Sequence, residues 1–252
     1  MPSTGYIMDY HSILLIFVLG VLAFLYSSIG YGGAIGYLAV MALFGVAPVM
    51  MKTSALIMNL AVAAASFIGF YRGGYFKLKL FWPFAITSIP MAYLGGMMTL
   101  SDSIYRKILA VCLLISIVRL LYQFRQANQE TKEIPIGTAL VTGGLIGLLS
   151  GAIGLGGGII LSPLMLLMRW ATFKETAAVS ALFISVNSLS GLFGQINKGG
   201  IHLTHNLQYA VAATILGGLL GSYCGSQKFN VPTLKYLLAI VLTIASFKLM
   251  FA

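Results

Sequence analysis

Two glycine clusters are the residues of this chain best placed to do chemistry. Ile29-Gly30-Tyr31-Gly32-Gly33 and Ile153-Gly154-Leu155-Gly156-Gly157-Gly158 each end an apolar run and precede a short apolar stretch. Glycine within a helix costs about 1 kcal/mol relative to alanine, so a cluster of them unwinds it. The helix that restarts afterwards has N–H groups without partners in its first turn. Those groups are also the positive end of the helix dipole. Such an end holds an anion without any side-chain charge, and the missing Cβ lets the ligand reach the backbone. The chemistry expected is recognition of a small anion by Gly30, Gly32, Gly33, Gly154, Gly156, Gly157 and Gly158. Close helix packing through glycine is the competing reading. Neither cluster is a nucleotide loop, because no Gly-Lys-Ser/Thr follows and Ile35 and Ile159 replace the last glycine of the dinucleotide fingerprint.

Hydroxyls and amides near the clusters can add donors. Ser28 precedes the first cluster, Ser54 and Ser180 begin two long apolar runs, and Asn59 and Asn187 follow within them. All five are candidate substrate-binding residues. Hydrogen bonding between helices is the alternative, and it is the one assigned to Ser66, Ser88, Ser188 and Ser190. Lys52 is either a basic entrance for an anion or a side chain reaching to the membrane interface. Trp82 and Trp170 suit an interfacial belt.

The absences narrow the function. Asp9, Asp102, Glu130, Glu133 and Glu175 are the acids, all at expected segment ends or loops. Without a carboxylate in mid-segment, the chain lacks the relay common in proton-driven carriers. No nucleophile–base pair and no metal-ligand cluster is legible, so neither an enzyme nor a cofactor is expected. Cys112 and Cys224 lie far apart in apolar runs and read as small packing residues.

The elements that position these residues must lie in lipid. The chain is 59% hydrophobic and 8% charged, against about 25% charged in soluble domains. Fifteen Lys+Arg against five Asp+Glu give a net charge of +10. In a membrane protein this reflects loops beside anionic lipid rather than nucleic-acid binding. The first apolar run lacks a basic leader and a small-residue cleavage site, so it reads as a membrane helix and not a signal peptide. Expected segments are 11–29, 33–46, 50–70, 80–99 and 104–122, a polar linker at 125–135, then 136–153, 157–169, 175–196, 207–226 and 231–251. Segments 33–46 and 157–169 are too short to span alone. Gly143, Gly147 and Gly151, like Gly217, Gly221 and Gly225, recur every four residues and predict close helix contacts.

The halves repeat. SIGYGGAI at 28–35 answers AIGLGGGI at 152–159, Ser54-Ala55-Leu56 answers Ser180-Ala181-Leu182, and Arg72-Gly73-Gly74 answers Lys198-Gly199-Gly200. The expected architecture is all-α and polytopic, with residues 1–124 and 136–252 as repeats of about five segments, eight to ten in total. With five segments per half, ten basic residues fall on one side and five on the other. Fusing the first two segments of each half leaves eight against seven. The positive-inside rule prefers the former, which makes the repeats inverted and puts both termini outside.

The sequence resembles the TauE/SafE family of sulfite and sulfonate exporters. The resemblance rests on AIGLGGGIILSPLM with Pro163, on Lys174-Glu175-Thr176-Ala177, on Ser180-Ala181 and on Lys198-Gly199-Gly200. The first half departs, with Ala34 and Ala39 in place of Gly158 and Pro163. The family implies a multi-pass permease of the plasma membrane, the cell inner membrane in Gram-negative bacteria, for sulfite or a small organosulfur anion. Its partners would be that anion and lipid, and a homodimer is compatible with it. An importer of a sulfonate or other inorganic anion, and a non-transporting membrane subunit, are the alternatives.

Overall fold

The computed structural model describes residues 10–28, 33–121, 131–199, 205–225, 243–244 and 246–248. Among them are nine helices: α1 (Tyr10–Ser28), α2 (Ala34–Leu43), α3 (Pro48–Arg72), α4 (Leu78–Met97), α5 (Asp102–Leu121), α6 (Ile136–Ile153), α7 (Gly158–Leu167), α8 (Phe173–Gly199) and α9 (His205–Gly225). No strand occurs among the described residues. Each of the first nine expected segments has its helix. The tenth, 231–251, and the linker 125–135 lie largely outside the described residues.

Among the described residues, five helices are long and apolar enough to cross a membrane: α1, α3, α4, α6 and α8. At 1.5 Å per residue, the ten residues of α2 and of α7 span about 15 Å, half a bilayer core. The burial pattern also fits lipid. Phe17, Ile68, Val141, Leu145 and Leu216 are exposed, whereas Lys52, Asn59, Asn187 and several serines are buried. Water would disfavour such an exterior, and lipid accepts it.

Small residues set the packing. A Cβ at Gly143 would stand 2.5 Å from the Phe84 carbonyl oxygen, and one at Gly147 would stand 2.5 Å from Ser88 Cα. One at Gly151 would meet the Ala92 backbone. The four-residue spacing of α6 thus meshes with the same spacing on α4. Gly217 and Gly221 of α9 pack likewise on the backbones of Gly20 and Phe24 in α1. Gly147→Ala is therefore expected to force this seam apart, at a cost of about 1–3 kcal/mol. Gly144 is the control: its Cβ would find only Met91 and Thr87 side chains at 3.7 Å. In thermal melts of the detergent-purified protein, Gly147→Ala should lower the midpoint and Gly144→Ala should not.

The most extensive helix pairs, α4–α6, α1–α9, α4–α8 and α3–α8, all join the first half of the chain to the second. The pattern maps onto itself when α1, α2, α3 and α4 exchange with α6, α7, α8 and α9. Under this exchange α1–α9 becomes α6–α4, α3–α9 becomes α8–α4, and α3–α8 returns itself.

Two expectations need correction. Trp170 is not at an interface: it is 6% exposed, with its ring 5.9 Å from that of Phe84. The turn after α7 folds it back into the apolar cluster with Leu161 and Phe183. Trp82 is 41% exposed, as a belt residue would be. Among the serines assigned to helix contacts, Ser190 Oγ donates to the Ile89 carbonyl of α4 at 2.6 Å. Ser88 instead bonds its own helix at Ala85, and Ser188 Oγ is buried without a partner.

Candidate functional site

The second glycine cluster is an unwound joint between α6 and α7. Gly154 closes α6 at φ 91°, and its N–H donates to the Ser150 carbonyl at 2.8 Å. Gly156 and Gly157 hold φ values of 69° and 77°, and Gly157 caps α7. L side chains rarely adopt this left-handed region, so three glycines here are a conformational requirement. The N–H groups of Ile160 and Leu161 turn back to the Gly157 carbonyl. Those of Leu155, Gly156, Gly157 and Gly158 find no partner among the described residues, although all four residues are buried. Buried backbone donors are almost always satisfied in folded proteins. Four in succession, at the positive end of α7, are chemically able to hold an electron-rich ligand.

The two longest helices clamp this joint. A Cβ at Gly154 would lie 2.9 Å from the Lys52 carbonyl oxygen of α3. One at Gly156 would lie 2.7 Å from Ile184 Cγ2 of α8 and 3.3 Å from Asn59 Nδ2 of α3. One at Gly158 would lie 3.2 Å from the Ser180 carbonyl oxygen. Asn59 Nδ2 donates to the Gly154 carbonyl at 3.0 Å, tying α3 to the joint. Asn187 follows Ile184 by three residues, on the α8 row whose next member, Gly191, sits 3.3 Å from Gly151 Cα when given a Cβ.

The other predicted residues behave differently. Ser180 Oγ and Ser162 Oγ are 2.8 Å apart, and Ser162 donates to the Gly158 carbonyl at 2.6 Å. Ser180 therefore supplies the proton between the two hydroxyls and fastens α8 to the first turn of α7. Ser162 was not singled out in the sequence; its position four residues after Gly158 on a helix was the available signal. Ser54 Oγ is buried without a partner among the described residues, and five residues along a helix it does not share the face of Asn59. Gly33 caps α2 at φ −73°, a right-handed value, unlike its counterpart Gly157. A Cβ there would meet the Tyr37 ring at 2.5 Å. Ser28 ends α1, its side chain outside the description, and Gly30 and Gly32 lie outside the described residues.

Lys52 neither reaches an interface nor points freely into a passage. It is 6% exposed, and its ammonium donates to the carbonyls of Gly95, Gly96 and Met98 at 3.1, 2.8 and 3.2 Å. It caps the C-terminal end of α4, where orphan carbonyls and the negative dipole end attract a cation. It also lines a cavity of about 280 Å³, whose walls include Thr53, Tyr105, Gln195 and Lys198. That cavity reaches Ala152, and Tyr105 Oη donates to the Ile153 carbonyl at 2.9 Å, so it ends against the joint. Lys198, exposed at the end of α8, carries the unburied charge.

The acid in the first turn of α8 is engaged elsewhere. Glu175 pairs with Lys77 at 2.5 Å and accepts from the Thr172 N–H at 2.9 Å, capping α8. Among the described residues no His, Cys, Asp and Glu cluster could hold a metal ion.

Comparison with known proteins adds a decisive observation. The profile of the family described as Sulfite exporter TauE/SafE matches residues 14–249. The chain belongs to the TauE/SafE family. As a member of it, the protein is a multi-pass membrane transporter. It is also 33% identical over 250 residues to a probable membrane transporter protein of Sinorhizobium fredii, covering 96% of this chain and 100% of that one. A probable membrane transporter protein of Methanocaldococcus jannaschii is 24% identical over 151 residues, 57% of this chain and 56% of its own length. No solved structure matches the chain.

Proposed function

We propose that this TauE/SafE transporter moves sulfite or a small organosulfur anion across the plasma membrane, binding it at the α6–α7 joint. The observation that carries this reading is the run of four buried, unpartnered N–H groups at the start of α7. The buried amide of Asn59, fixed on Gly154 and with its oxygen unpartnered, supports the same place. An oxyanion entering from water exchanges hydration for these donors, which are already oriented. The cradle holds no formal charge of its own, so the anion is bound weakly enough to leave again, as transport requires. The cavity between Lys198 and Ala152 is the approach from one side.

Alternating access follows if the two halves are inverted repeats. The basic-residue bias and the exchange symmetry of the helix contacts both support that arrangement. In it the termini face outward, α3 and α8 cross near the pseudo-twofold axis, and rocking one half against the other opens the joint to either side. The purified chain, reconstituted alone into vesicles loaded with radiolabelled sulfite, should release it above the protein-free leak. Vesicles that retain their sulfite would exclude this function.

A further inference from the structure

Two buried amide oxygens in the clamp lack a donor. Asn59 and Asn187 are 2% and 0% exposed. Asn59 Nδ2 donates to the Gly154 carbonyl, and Asn187 Nδ2 donates to the Phe183 carbonyl at 2.8 Å. These bonds fix the orientation of each amide, because turning either would set two carbonyl oxygens against each other. The remaining Oδ1 atoms accept from nothing among the described residues. An amide oxygen can only accept, so its partner must bring a hydrogen.

The joint therefore offers two kinds of group. The N–H groups of residues 155–158 need acceptors, and the Asn59 amide oxygen needs a donor. A fully deprotonated oxyanion presents acceptors only, which would satisfy the first set and repel the second. A hydroxyl-bearing anion satisfies both. Resting on the reading of the joint as the anion site, we propose that it selects a singly charged oxyanion that still carries its proton. The ionised oxygens take the backbone donors, and the hydroxyl donates to Asn59 Oδ1 on the α3 side. For sulfur in this oxidation state the form carried is hydrogensulfite rather than sulfite, so one proton crosses with each anion.

No titrating carboxylate is needed for this. Helices α6 and α7 carry no ionisable side chain. On the helices packed around them, Tyr105 bonds the Ile153 carbonyl and Lys52 bonds three carbonyls. Tyr37 lies in the α2 core, Lys174 and Glu175 lie at the start of α8, and Lys198 lies at its end.

The test compares two anions in vesicles containing the purified full chain. Methanesulfinate carries a methyl group where hydrogensulfite carries its hydroxyl, and it keeps a single charge across the pH range used. At fixed total sulfite, flux should fall about tenfold per pH unit above the second ionisation. Methanesulfinate flux should stay flat across the same series and lie about tenfold or more below that of hydrogensulfite. Its flatness separates protonation of the substrate from titration of the protein. Asn59→Leu should bring the two anions closer together, and if that variant does not fold, the wild-type series still decides. Sulfite flux that persists as the dianion forms would overturn the inference while leaving the anion site standing. So would methanesulfinate carried as fast as hydrogensulfite, which would place water on the amide oxygens. No flux of sulfite at any pH would overturn the site and the inference together.

Discussion

Gly156→Leu should abolish sulfite efflux from vesicles while leaving a folded, monodisperse protein. Gly156 holds φ 69°, and its missing side chain faces Ile184 at 2.7 Å and Asn59 at 3.3 Å. Leucine cannot keep that backbone without strain, and its side chain would fill the space between α3 and α8. The peptide at the joint must turn, which re-aims the N–H groups of Gly156 and Gly157. Hydrogen bonds to a charged group contribute about 1.5–3 kcal/mol each, so losing two lowers anion affinity by about a hundredfold or more. The fold survives because the α4–α6 and α1–α9 seams do not pass through Gly156. Efflux equal to that of wild type would remove the joint from the transport path.

Lys52→Met should be the most destabilising single change among the described charged residues. Its ammonium bonds three carbonyls at the end of α4, of which only that of Gly95 also accepts from the Met98 N–H among the described residues, in a place 6% exposed. Methionine matches the stem and leaves those oxygens and the negative dipole end without a cation. Ionic hydrogen bonds and the dipole interaction together suggest about 3 kcal/mol. At roughly 2–4 °C per kcal/mol for a chain of this size, the melting midpoint in detergent should drop by about 10 °C. Lys52→Arg should recover part of it. An unchanged midpoint with a weakened apparent affinity for sulfite would instead put the ammonium in the path of the anion.

Much of the fold was legible because membrane helices obey few rules. Length, apolar content and glycine breaks locate α1 through α9 to within a few residues, including the short α2 and α7. The four-residue glycine spacing on α6 and α9 foretold the seams, since only glycine permits such backbone approach. Trp170 was misplaced because periodicity near a turn does not say which way the chain folds back; here it returns to Phe84. The partner helix of each seam was equally hidden. Contacts such as α4 with α6 cross the linker, and a pattern of small residues names a face but not what it meets.

The geometry of the candidate site was legible in its backbone and less so in its side chains. The sequence located the joint, and Asn59 proved to touch it. The role of Lys52 was not readable, because a lysine near a helix start looks the same whether it meets water or the end of another helix. Ser180 read equally as a substrate donor or a helix-to-helix contact until the position of Ser162 showed where its proton goes. Such assignments depend on contacts between residues distant in sequence, which no local pattern encodes.

In the proposed transport path an oxyanion rests on the first N–H groups of α7. Selenite, a heavier analogue of sulfite, tests this directly through the anomalous scattering of selenium in crystals of the transporter. A peak is expected between α3 and α8, with its oxygens about 2.7–3.2 Å from the amide nitrogens of Gly156, Gly157 and Gly158. A bound anion found only beside Lys198, with the joint empty at saturating selenite, would contradict it.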